Sequence, residues 1–264
     1  MKYPGRLIKQ GEADASIVRA LKKALNKALA LRAGQGPGLD PDSPDFGPKM
    51  KQTVKLFQMR HVDGSGRPLK VDGEVGALTW QALFGANAVP ASGRASSALL
   101  KSVLDLAGRE ADRAVREQPR NSNRGPEVEA YLERAGVAAG NPWCCAFVYW
   151  NFDEAAKKLR RANPMFRTAH CLTHWNRAVS AGAQRITRKE AIDDPARVRA
   201  GMIFIMDHGG GAGHTGLVER VEGGLIHTIE GNTDASKTRE GGGVYRLQRK
   251  IADINKGYID YAKC

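Results

Sequence analysis

The stretch Asn141-Pro142-Trp143-Cys144-Cys145-Ala146-Phe147-Val148 reads as a turn that passes directly into a helix. Asn-Pro favours a turn, and the residue before a proline is pushed away from helical backbone. Beyond it, Ala146, Phe147, Trp150 and Ala155 recur at helical spacing. A helix starting near Cys144 aims unpaired N–H groups and the positive end of its dipole at that residue. Such a position favours a thiolate and can also stabilise an oxyanion. Successive helical residues are turned by about 100°, so if one of Cys144 and Cys145 faces a cleft, the other faces the core. Spacing alone leaves the choice open.

On either side of this stretch the pattern changes character. Helical periodicity precedes it, around residues 99–116 and 126–135. Strand-like runs follow at 202–206, 214–221, 225–230, 244–250 and 257–262, separated by glycine-rich breaks such as Gly209-Gly210-Gly211. Helices first and antiparallel strands afterwards predict an α+β domain over residues 98–264. Residues 86–97, ANAVPASGRASS, are small and polar without apolar periodicity and read as a linker. Residues 1–85 predict an all-α three-helix bundle, with helices through Ile17–Leu29, from Pro48 onward, and over Gly76–Phe84. Ser16 is available to cap the first of these and Pro48 suits the opening of the second. The expected chain therefore has two domains.

A cysteine nucleophile needs a histidine in reach and a polar group to orient it. His214, in Gly213-His214-Thr215-Gly216-Leu217-Val218, opens a β-run after a glycine-rich loop. The next run ends Thr228-Ile229-Glu230-Gly231-Asn232. A hairpin with a three-residue loop at 222–224 would set His214 opposite Asn232 and diagonal to Glu230 on one face. A two-residue loop would shift the parity. Either Glu230 or Asn232 then accepts the Nδ1 hydrogen of His214. His208 is the rival base; His61 lies in the first domain, and His170, His174 and His227 lack both the flanking glycines and an apparent polar partner.

Composition narrows the classes. The chain has 264 residues, 42% hydrophobic and 26% charged, which argues against wholesale disorder. Its net charge is +13, with 14 Lys and Arg against 8 Asp and Glu in residues 1–90 and 27 against 20 in the rest. A basic surface of this kind attracts polyanions, including anionic envelope components. No basic stripe interleaved with aromatics marks a nucleic-acid module, so no nucleic-acid partner is expected. No apolar run approaches the roughly 20 residues of a membrane span, and the first residues have no apolar signal-peptide core. Four cysteines fall into neither a disulfide framework nor metal-ligand pairs.

Taken together and in order, Asn121-Ser122-Asn123-Arg124-Gly125-Pro126, Pro142-Trp143-Cys144, Ala146-Phe147-Val148, Gly213-His214-Thr215-Gly216 and Glu230-Gly231-Asn232 resemble a CHAP domain, a papain-like cysteine amidohydrolase and peptidase family, over residues 98–264. The resemblance implies Cys144 as nucleophile and Cys145 in the core, His214 as general base, and Glu230 with Asn232 as orienting groups. Trp143 is read either as lining the cleft or as packing in the core. Some relatives bind calcium upstream of the nucleophile. Here that segment, Arg116–Asn121, has one carboxylate, so neither metal nor cofactor is expected. Val54-Lys55-Leu56-Phe57-Gln58 and Val71-Asp72-Gly73-Glu74-Val75-Gly76 followed by Thr79-Trp80-Gln81-Ala82-Leu83 resemble a three-helix peptidoglycan-binding module; Asp72 and Trp80 are its candidate wall contacts, with core packing the alternative for Trp80 and turn capping for Asp72. The 35–46 insertion departs from the compact form of that module.

These resemblances imply a monomeric peptidoglycan hydrolase, an N-acetylmuramoyl-L-alanine amidase or a peptide endopeptidase, resembling a phage endolysin. It would be made in the cytoplasm and reach the periplasmic wall through a holin-type pore or a secretion apparatus. A secreted antibacterial effector with the same chemistry, or a non-catalytic wall-binding or virion structural protein, are the alternatives.

Overall fold

The computed structural model describes residues 1–33, 35–89, 91–238 and 241–264. The chain divides into two compact units: Met1–Ala91 with Ile192–Ala196 and Glu222–Gly224, and the remainder.

In the first unit α1 (Ala15–Ala28), α2 (Pro48–Arg60) and α3 (Ala77–Phe84) form the expected helices. Asp14, rather than Ser16, caps α1: its carboxylate accepts the amides of Ser16 at 2.9 Å and Ile17 at 3.1 Å. Pro48 occupies the first turn of α2, where its missing N–H costs nothing. Ile17, Leu21, Leu25, Val54, Phe57 and Trp80 meet in one core. The long segment between α1 and α2 is fastened by Asn26, whose side chain both donates to and accepts from the Leu39 backbone, at 2.7 and 2.9 Å. The expected linker is partly structured. Ala86–Ala88 form a short 3-10 turn, and Ala88 and Val89 are buried in the first core. Ser92 pairs with Val221. Pro90, in the same stretch, lies outside the described residues.

The second unit places α4 (Ala98–Asp112), α5 (Pro126–Ala135) and α6 (Cys144–Lys158) ahead of α7 (Cys171–Arg177) and α8 (Arg188–Asp193). Its sheet contains β1 (Gln184–Thr187), β2 (Ile203–Gly209), β3 (Ala212–Glu222), β4 (Leu225–Thr233), β5 (Gly243–Lys250) and β6 (Gly257–Asp260). The order across the sheet is β1-β6-β2-β3-β4-β5. Period-two alternation gives the sheet two apolar faces. Ile203, Ile205, Leu217, Ile229 and Ile259 share a core with α4, α5 and α6. Phe204, Val218, Ile226 and Tyr258 belong to a second core with Ile186 and Ile251. The antiparallel α+β class follows from sequence, but β1 does not. It has one apolar residue, Ile186, and gains its strand character by pairing with β6.

The turn between β3 and β4 differs from the three-residue expectation. The chain reverses at Gly223-Gly224, with φ values of +59° and +81°, as glycine permits. His214 and Glu230 still meet, so the two strands do not pair as an unbroken two-residue hairpin ladder. Among the described residues, no helix is long and apolar enough to cross a membrane.

Candidate active site

Cys144 is the first residue of α6, with Trp143 at the N-cap and no side chain capping the helix. The intrahelical ladder begins at Phe147, whose amide donates to the Trp143 carbonyl at 2.8 Å. The amides of Cys144, Cys145 and Ala146 thus stand ahead of it. Helical phase separates the two cysteines as expected. Cys144 borders a cleft of about 220 Å³, while Cys145 is fully buried and its Sγ lies 3.6 Å from the Thr168 carbonyl.

The cleft is bordered by Pro142 and Cys144, by Ala169, His170 and Cys171 at the start of α7, by Gly211, Ala212 and Gly213, and by Asn232. Trp143 does not border it. Its ring is completely buried against Tyr131 and Phe147, and its Nε1 donates to Glu117 at 2.8 Å. Of its two expected places, cleft wall and core, Trp143 takes the core, packed beneath Cys144. Glu117 is the one carboxylate of the 116–121 segment, and it points inward to this indole.

β3 carries His214 opposite Met206 of β2, on the sheet face shared with Phe204. The imidazole Nε2 donates to Glu230 Oε2 at 2.8 Å. Sequence reasoning had placed this bond on Nδ1; the nitrogen is the other one. Nδ1 makes no hydrogen bond to the described protein atoms, yet Cys144 and His214 each shift the other's ionisation. Donation from Nε2 sets the tautomer that leaves Nδ1 free to take a proton. Catalytic hydrogen bonds often tighten only around substrate.

Glu230 is fully buried on β4, and burial opposes its charge. Arg249 on β5 overcomes that penalty: Nε donates to Oε1 at 2.7 Å and Nη2 to Oε2 at 2.6 Å. Thr228 adds a hydroxyl donor to Oε1 at 2.5 Å. With the His214 contact, these partners hold Glu230 down at about 2. Burial likewise opposes charge on His214, but Cys144 and Glu230 lift the imidazole to about 9. The Cys144 thiol is pushed up, first by its contact with Cys171 and then by burial, against the lowering influence of His214.

Two glycines make this assembly fit. A Cβ on Gly231 would lie 2.7 Å from the Trp143 ring and 2.8 Å from Phe147 Cβ, so β4 approaches the first turn of α6 through that gap. A Cβ on Gly216 would lie 2.7 Å from Glu230 Cγ and occupy the carboxylate's space.

Asn232 does not touch the imidazole. It sits at φ +57°, where the β4–β5 register shifts between Glu230 and Thr233, and both its amide atoms are buried without a partner at the cleft. The orienting position belongs to Glu230. His208 is exposed at the end of β2 and does not border the cleft. His174 is buried beside Tyr261, where burial depresses it to about 3. His170 borders the cleft and caps α7 by accepting the Thr173 amide at 3.2 Å.

Sequence reasoning missed Arg249, Thr228, Cys171 and Glu117. A cation on an alternating strand would have been a signal for Arg249, since a buried charge requires a partner. Nothing local marks Cys171.

In the first unit, Trp80 is completely buried against Tyr3 and Phe84. Of the two roles open to it, wall contact and core packing, it takes the second. Asp72 closes the turn before α3, with Oδ1 accepting the Glu74 amide at 2.9 Å and the Gln58 amide group at 3.0 Å.

A cysteine at a helix start, an imidazole on a neighbouring strand and a carboxylate behind it match the arrangement of a papain-like domain. A family model for the CHAP domain matches residues 136–232, and one for a putative peptidoglycan binding domain matches residues 14–83. The chain therefore carries a CHAP domain behind an N-terminal peptidoglycan-binding domain, a pairing that supports a peptidoglycan hydrolase. No curated protein and no solved structure matches the chain.

Proposed function

We propose that the chain cleaves an amide bond of peptidoglycan with the thiolate of Cys144, at the muramoyl–L-alanine link or within the peptide stem. The observation carrying this reading is the 2.8 Å contact of His214 Nε2 with the Glu230 carboxylate, which Arg249 grips through two hydrogen bonds. Nδ1 takes the proton of Cys144, giving a thiolate–imidazolium pair. The thiolate attacks the amide carbonyl, and the amides at the head of α6 receive the developing oxyanion. His214 returns the proton to the leaving amine. Water, activated by the same nitrogen, then hydrolyses the thioester.

Digestion of purified peptidoglycan, with fragments identified by mass spectrometry, tests this. Wild type is expected to release fragments whose new termini name the bond, and Cys144→Ala to release none while still sedimenting with the wall. Equal release by both would remove Cys144 from the mechanism. Release by neither would favour a wall-binding protein without catalysis. An endolysin-type role extends the reading, with lysis of a producing cell expected only when a pore in the inner membrane is supplied.

A further inference from the structure

The mechanism above makes no use of Cys171, yet its Sγ lies 3.6 Å from that of Cys144. The two residues are 27 positions apart and are brought together by the starts of α6 and α7. Both border the cleft, and all four cysteines of the chain are free thiols. His214 provides the base and α6 the amides, so a second thiol here adds nothing to acyl transfer. It does add a reaction that serine or alanine could not. Bringing the sulfurs from this contact to a bonding distance of about 2.05 Å requires a closure of about 1.5 Å.

We propose that Cys144 and Cys171 form a peroxide-responsive pair, in which oxidised Cys144 is captured by Cys171 as a reversible intramolecular disulfide. A low-molecular-weight hydroperoxide is the oxidant. The Cys144 thiolate attacks the O–O bond, its sulfur gains the terminal oxygen, and the O–O bond breaks to release hydroxide. Cys171 sulfur then attacks the resulting sulfenic sulfur. The S–S bond forms, the S–O bond breaks, and the Cys171 proton leaves with the oxygen as water. Overall, two thiols lose two electrons and two protons, and one hydrogen peroxide becomes two waters. A dithiol reductant reverses the step through a mixed disulfide. Capture at the sulfenic stage keeps the nucleophile from the irreversible sulfinic and sulfonic acids.

Cys145 is the competing partner, since it also influences Cys171. It is turned into the core and does not border the cleft, so peroxide meets Cys144 first.

The first readout needs no catalysis. The full chain is treated with hydrogen peroxide, its remaining thiols are alkylated, and its peptides are mapped without reduction. A cross-linked peptide pair containing Cys144 and Cys171 is expected, and it persists in Cys145→Ser. A bridge to Cys145, or Cys144 oxidised to sulfinate beside a free Cys171, would overturn the proposal. The second readout rests on the hydrolase reading. Peroxide lowers wild-type turnover of peptidoglycan by more than about tenfold, because only the thiolate is nucleophilic, and dithiothreitol restores it. Cys171→Ser and Cys171→Ala, each compared with its own untreated activity and checked for folding by circular dichroism, are expected to lose the recovery. Recovery equal to wild type in both would also overturn the proposal. A cross-link in a protein without any hydrolytic activity would sink the hydrolase reading and leave the thiol pair standing.

Discussion

Four hydrogen bonds converge on the Glu230 carboxylate, from His214, Thr228 and twice from Arg249. None of these donors is a neighbour in sequence except Thr228. The arrangement has a pH signature at this scale. Glu230 is lowered from 4.5 to about 2, so its share of stability is present above pH 4.5 and is lost as pH falls through about 2. His214 is raised from 6.5 to about 9, so its share is present below pH 6.5 and is lost as pH rises through about 9. Denaturant unfolding of wild type and His214→Gln should differ most between pH 4.5 and 6.5. The gap should narrow from pH 6.5 toward 9; a gap independent of pH would contradict a charged imidazole beside Glu230. Arg249→Met leaves a buried carboxylate without its fork, and a loss of roughly 3–5 kcal/mol is expected in the same measurement. Arg249→Lys, which keeps the charge but not the bidentate geometry, should fall between. Turnover should fall with both, since the tautomer of His214 depends on Glu230. His214 stood out by its flanking glycines, whereas Cys144 was separated from Cys145 only by the family resemblance. Arg249 was not legible, because its partner is defined only across the β4–β5 ladder.

At the scale of elements, the site is a junction of three: the first turn of α6, the start of β3 and the end of β4. The junction depends on how closely β4 approaches α6, and Gly231 sets that distance. Gly231→Ala forces a methyl against Trp143 and Phe147, and overpacking of this kind costs about 1–3 kcal/mol. A thermal melt should show that loss, and peptidoglycan turnover should fall further than stability does, since Cys144 and Glu230, the partner of His214, are carried on the two elements being pushed apart. Turnover that declines only in step with the unfolded fraction would show that the spacing is not critical. The strands β2 to β6 were legible from alternation and glycine breaks. β1 was not, because an edge strand with a lone apolar residue takes its order from its neighbour. Nor was the true β3–β4 turn: Glu222-Gly223-Gly224 permits two loop lengths, and packing of both sheet faces selects between them.

For the molecule as a whole, a wall-binding domain and a hydrolase domain on one chain imply tethering, which raises local substrate concentration without altering the catalytic step. Residues 92–264 alone should therefore retain turnover on soluble wall fragments and lose it on intact sacculi at limiting enzyme, as read by dye release. Equal loss on both substrates would mean that the first domain supports the second's fold instead. Within the first domain, Trp80→Ala is expected to remove about 3–5 kcal/mol through the cavity it leaves. Loss of wall sedimentation in that variant should accompany unfolding in circular dichroism and not occur without it. The order of helices α1 to α6 and of strands β2 to β6, the two-domain division and the residue types proposed for the site were legible in the sequence alone. Each rests on short-range regularities: periodicity, turn residues, and several short motifs in a given order. The tertiary structure decided which imidazole nitrogen meets Glu230, that Asn232 faces the cleft, that Trp80 and Trp143 are core, and that Cys171 lies against the nucleophile. Those are contacts between residues tens of positions apart, and a side chain's partner across such a distance is set by packing and sheet register, which no local pattern encodes.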